Sequence, residues 1–321
     1  MGMLWWEWLG FFGFIVGLLA VDLFVFHRTS RRTSLKEATA WTSVWIALGL
    51  SFAIVVWARL GSVAAGQYLA GYLVEYGLSV DNLFVWALLI GYFAVPAAYQ
   101  QRVLLFGVLG AILFRGIFIL VGTALISHLH WVSYLFGAFI ILTGLRMAQD
   151  VEEKIRPDRN PVLRFIRALL PVTTAYQSER LLVREQGRLA ATPLLVALVM
   201  VATMDVVFAV DSIPAIFAIT LDPFVVFTSN AFAVLGLRAL YFLLAGWMRR
   251  FAYLKLGLAA LLVLVGIKML VKDIYEVPIA TSLIVIVLVI TAAILASVWV
   301  ERRRKSARQS QPAPIAEGGK W

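Results

Sequence analysis

The chain has 321 residues, 62% of them hydrophobic and only 14% charged, with a mean hydropathy of +0.90. So much apolar surface exceeds what a soluble fold can bury, so composition excludes a water-soluble domain in favour of a polytopic membrane protein. Cysteine is absent, which excludes disulfides, thiolate metal sites and dithiol redox chemistry. The net charge of +10 would point to nucleic acid in a soluble protein, but here the basic residues fall in loops, so the expected partner is the lipid bilayer and not nucleic acid.

About 20 mainly apolar residues cross a bilayer as a helix. Nine stretches qualify: 5–26, 40–58, 66–90, 101–125, 131–147, 193–218, 223–245, 253–271 and 279–299. The predicted fold is therefore all-α, a transmembrane domain over 1–299 followed by a basic tail over 300–321 that is expected to be disordered. The first stretch lacks a basic leader, carries Glu7 and runs into Asp22 without a small-residue cleavage site, so it reads as a span and not a signal peptide.

The basic residues predict orientation. With the N-terminus outside, the inner loops hold 22 Lys and Arg, while the outer loops hold only Arg59 and Lys272. That asymmetry predicts N-terminus out and C-terminus in, in a bacterial inner membrane. Within the inner loop at 148–192, Asn160-Pro161 predicts the start of a short basic amphipathic helix, and 181–189 reads as a small hairpin turning at Gln186-Gly187.

Spans three to five (66–147) and six to eight (193–271) repeat one order of features. Each set opens with paired carboxylates six positions apart: Glu75 with Asp81, then Asp205 with Asp211. The second helix of each carries a mid-span arginine, Arg115 or Arg238, and the third ends in Gly-Leu-Arg146-Met or Gly-Ile-Lys268-Met. Because the sets begin on opposite sides, they predict an inverted repeat of two three-helix units, with the acidic helices meeting near the midplane.

A buried carboxylate in a bilayer costs roughly ~2.5–3.5 kcal/mol, so four in matched pairs predict an ion or proton site. Residues six apart do not share a helix face, and a break at Gly77 or Pro214 is one way to reconcile each pair. Glu75, Asp81, Asp205 and Asp211 supply hard oxygens, and Asn82, Ser79 and Ser212 add neutral ones. Without sulfur or a mid-span imidazole the set suits Mg2+, Ca2+ or Mn2+, and protons as coupling ion are equally allowed. Asp22 and Asn230 are accessory candidates, although Asn230 also fits an interhelical hydrogen bond. Arg115 and Arg238 read as counter-ions, leaving a formal charge of about −2 on the four acids. Arg146 and Lys268 are expected to snorkel. The competing reading makes the acids structural partners of the arginines. No catalytic residues or covalent cofactors are expected, since Gly-x-Gly-Asp, nucleophile-elbow and zinc-protease patterns are absent.

The segments Glu75–Val85 and Phe208–Ala215, with Asp222–Phe224, Ser229-Asn230 and Leu235–Phe242, resemble the hallmark segments of the TerC family of integral membrane proteins, nearest its Alx branch. The resemblance covers nearly the whole chain, and all four acids fall where the family pattern has them. It implies association with tellurite resistance, a redox-modulator label, and export of manganese by an inverted-repeat cation exporter. The absent cysteines argue against thiol redox chemistry, and four carboxylates would repel the tellurite oxyanion. Expectation therefore centres on export of a divalent cation, Mn2+ above Ca2+ or Mg2+. The alternative is a non-transporting stress-response component.

Overall fold

The computed structural model describes residues 5–27, 34–129, 131–149, 163–165, 168, 170–173, 176, 180–185, 188–244, 254–275 and 277–309, without the side chains of 23–27, Asp81, Phe84, Arg188, Asp211, Leu254 and 301–309. Almost all of it is helical: α1 (Trp5–His27), α2 (Leu35–Tyr92), α3 (Ala97–His128), α4 (Val132–Gln149), α5 (Pro193–Phe217), α6 (Pro223–Leu235), α7 (Leu237–Leu244), α8 (Leu254–Val271) and α9 (Ile279–Gln309). Among the described residues, seven helical segments are long and apolar enough to cross a membrane, α6 and α7 forming one of them over Pro223–Leu244.

The 58 residues of α2 are not one rod. Gly61 sits at φ 89°, ψ 178°, a conformation that any Cβ would strain, and it breaks the helix into arms over 35–60 and 62–92. At 1.5 Å per residue, each arm is roughly 40–45 Å long, enough to cross an apolar core of about 30 Å. The arms fold back on each other. The Tyr68 hydroxyl donates to the Gly49 carbonyl at 2.8 Å, and the Phe52 and Tyr68 rings lie 5.6 Å apart. The break therefore falls between two expected spans and not at Gly77.

Gly77 has a packing role instead, since a Cβ there would come within 2.9 Å of Leu258. Pro214 lies inside α5, three residues before its end at Phe217, and does not break it.

The second arm of α2 packs on α6, α3 packs on α5, and α4 packs on α8. Small residues set the closest approaches. A Cβ on Gly266 would lie 2.8 Å from the Gly137 carbonyl, and one on Gly144 would lie 2.8 Å from the Ala259 carbonyl. Close packing of this kind drives helix association where lipid removes the hydrophobic advantage. The α1 helix adds Phe11 to an aromatic cluster with Phe52, Phe224, Phe227 and Phe232.

Strands β1 (Leu182–Glu185) and β2 (Arg188–Ala191) pair antiparallel across residues 186–187, as the sequence predicts. The hairpin feeds straight into α5. Thr192 caps that helix by accepting from the Leu195 amide at 3.4 Å, and donates its hydroxyl hydrogen to the Arg180 carbonyl at 2.8 Å. The predicted amphipathic helix after Asn160 lies mostly outside the described residues, with 163–165 helical. The tail differs from expectation at its start. Helix α9 continues through 300–309, because extending a formed helix through good helix formers is cheap. Residues 310–321 lie outside the described residues.

Candidate cation site

Arg115 is the hub of the buried centre. It lies mid-α3, is 1% exposed, and forms an ion pair through Nη1 with Glu75 on the second arm of α2. The same Nη1 donates to Asn230 Oδ1 on α6 at 3.0 Å and lies 3.4 Å from Ser212 Oγ on α5. Asp205, also on α5, attracts it electrostatically. One arginine thus gathers groups from both acidic helices and from the two helices that follow them.

Glu75 and Asp205 each hold one oxygen without a hydrogen-bond partner among the described residues. Glu75 is fully buried; Ser79 donates to its Oε1 at 3.2 Å, while Oε2 has no hydrogen-bond partner. Asp205 is 2% exposed; Trp86 Nε1 donates to its Oδ1 at 3.1 Å, while Oδ2 has no hydrogen-bond partner. A buried acceptor without a donor is costly, and a bound cation or a proton would relieve that cost. Among the described residues, no group of three His, Cys, Asp or Glu side chains could hold a metal ion unaided.

The remaining candidates divide. Asp81 and Asp211 lie on helical backbone, and their side chains fall outside the described residues. Asn82 and Ser212 are buried at 5% and 2% exposure. Asn230 uses its amide on the protein itself: Oδ1 accepts from Arg115, and Nδ2 donates to the Val226 carbonyl at 2.9 Å.

Asp22 stands apart from this centre. Its Oδ2 lies 3.0 Å from Nη1 of Arg238 on α7, so α1 supplies the acid for the second mid-span arginine. Arg238 is thus engaged by an acid outside the two repeats, while Arg115 pairs with Glu75. Trp86, which the sequence reading did not single out, is the donor to Asp205 from 119 positions away. Its only sequence signal is a hydrogen-bonding ring one helical turn beyond Asn82.

The family model described as "Integral membrane protein TerC family" matches residues 60–305. The chain is 47% identical over 310 residues to "Putative membrane-bound redox modulator Alx" of Escherichia coli (strain K12), covering 94% of this chain and 97% of that one. It is 45% identical over 313 residues to the protein of the same name from Salmonella typhi, covering 95% and 97%. An "Uncharacterized membrane protein STKORF319" of Myxococcus xanthus is 43% identical over 305 residues, covering 95% and 96%. No solved structure matches. Spanning helices, the family model and similarity over about 95% of the chain agree: the chain belongs to the TerC family of multi-pass integral membrane proteins.

Proposed function

We propose that the chain exports divalent cations, Mn2+ foremost, across the bacterial inner membrane, with its N-terminus outside and its C-terminus in the cytoplasm. The observation that carries this reading is the pair of buried oxygens without a hydrogen-bond partner among the described residues, Glu75 Oε2 and Asp205 Oδ2, on two helices joined through Arg115. Hard carboxylate oxygens with neighbouring hydroxyl and amide groups match the ligand chemistry of Mn2+, Ca2+ and Mg2+. Asp81, Asp211, Asn82 and Ser212 complete the proposed ligand set. Buried carboxylates also take up protons, so proton exchange serves as the coupling step in this reading.

The helix packing supports an inverted repeat of 66–147 and 193–271. Superposing Thr143–Met147 on Val265–Met269 carries Gly144 onto Gly266 and Gly137 onto Ala259. The contact of Gly137 with Gly266 then exchanges with that of Gly144 with Ala259. Likewise the packing of the second α2 arm on α6 is the mate of α3 on α5. A pseudo-twofold of this kind is the framework on which one repeat rocks against the other and opens a midplane site to each side in turn.

A second reading, a non-transporting membrane component, draws on the ion pairs that engage Glu75 and Asp22. The relatives' redox-modulator name has no thiol support in a chain without cysteine. We read the protein as a transporter and not an enzyme. Mn2+ binding to the purified chain, followed by electron paramagnetic resonance, tests the site. Glu75→Gln and Asp205→Asn are expected to weaken binding at least about tenfold, one lost charged ligand each. Absence of binding by Mn2+, Ca2+ and Mg2+ to folded wild type would favour the second reading.

A further inference from the structure

At the end of the bundle bearing Arg59 and Lys272, a cavity of about 540 Å3 opens among α2, α3, α4, α5, α8 and α9. Its polar lining is Gln67, Ser133, Lys268, Lys272 and Tyr275, and no Asp or Glu is among its lining residues. Lys268 does not snorkel freely as its place near a span end predicts. It is partly buried, and Nζ donates to Ser282 Oγ at 3.0 Å. That uses one of its three N–H bonds, and no carboxylate faces it among the described residues.

A half-buried ammonium and a second ammonium line one cavity with hydroxyl and amide groups and, among the described residues, no lining carboxylate, which makes it a positive site. Burying such charge costs free energy that an anion would recover. The lining also includes apolar Ile126, Phe217, Met269 and Ile279. Span ends lie at headgroup depth, so a lining part cationic and part apolar matches the two parts of an anionic phospholipid.

We propose that this cavity binds a phosphate group, held by Lys268 and Lys272, with the hydroxyl of Tyr275 and the Gln67 amide as neutral donors. The apolar walls favour a phospholipid as its source over free phosphate. The site is separate from the acidic centre and does not depend on the export reading.

The test is thermal unfolding of the full chain in a neutral, phosphate-free detergent, titrated with phosphatidylglycerol, a phosphate-free glycolipid of the same acyl chains, or inorganic phosphate. Phosphatidylglycerol is expected to raise the midpoint saturably, and the glycolipid to leave it unmoved. Lys268→Gln and Lys272→Gln are each expected to weaken the response about tenfold, the share of one charge-assisted hydrogen bond. Lys268→Arg keeps the charge and should keep most of the response, which separates lost binding from lost folding. A lysine-dependent response to inorganic phosphate alone assigns the site to a soluble oxyanion. The proposal is overturned if neither phosphate source acts, if the glycolipid acts equally, or if folded lysine variants respond as wild type does.

Discussion

Replacing Glu75 with Gln keeps the side chain's shape and removes its charge from the pair with Arg115. Glu75 is fully buried and the Arg115 side chain is 2% exposed, so water screens neither charge. Breaking a buried ion pair costs about 3–5 kcal/mol. Arg115 retains Asn230 at 3.0 Å and the attraction of Asp205, which places Glu75→Gln near the lower end, at about 3 kcal/mol. Arg115→Met should cost a similar amount, because Glu75 is then left with Ser79 as its donor. The double variant removes both charges at nearly constant volume. It should recover at least ~2 kcal/mol of the summed losses. The loss of Arg115's attraction for Asp205 enters the single and the double variant alike and cancels in the cycle. Unfolding by sodium dodecyl sulfate in mixed micelles, read by the fluorescence of the chain's 11 tryptophans, measures all four proteins. Losses that add within about 0.5 kcal/mol would show that the two residues do not act as a pair.

Three further outcomes follow from the packing. Trp86→Phe removes the donor to Asp205 Oδ1 and should cost ~1.5–3 kcal/mol in the same unfolding assay, as for a hydrogen bond to a charged group; unchanged stability would remove Trp86 from the centre. Gly266→Leu drives a side chain into the Gly137 carbonyl and Ile141, and should destabilise by about 1–3 kcal/mol or more as α4 and α8 separate. Wild-type stability for that variant would contradict the close helix approach. Gly61→Ala meets no neighbour within 4 Å, so any loss comes from the backbone alone, at about 1–3 kcal/mol. If Gly61→Ala is neutral, the turn between the α2 arms is not held at positive φ.

The helices were legible because apolar run length is a local property, and the hairpin because Gln186-Gly187 sits between two short extended runs. The mid-span acids and arginines were equally plain, since each is a charge within an otherwise apolar run. What sequence did not reveal was who meets whom. Arg238 finds Asp22 on α1, outside the repeat, and Asp205 finds Trp86 on the other acidic helix. Neither pairing leaves a periodicity to read, because each depends on how separate helices cross. A break at Gly77 or Pro214 was one way to reconcile the acidic pairs; the non-helical residue inside α2 is Gly61, where the chain reverses between spans. Gly77 is small because Leu258 lies against it. The tail's basic composition signalled solvent, but not that α9 extends into it.

The most direct test is Mn2+ flux in proteoliposomes of defined protein orientation, comparing wild type with Glu75→Gln, Asp81→Asn, Asp205→Asn and Asp211→Asn, with folding checked for each. The account predicts flux in wild type, accelerated by an opposing proton gradient and lost in all four variants. Folded wild-type protein that moves neither Mn2+, Ca2+ nor Mg2+, with or without a pH gradient, would contradict it and leave the acids as structural partners of the arginines.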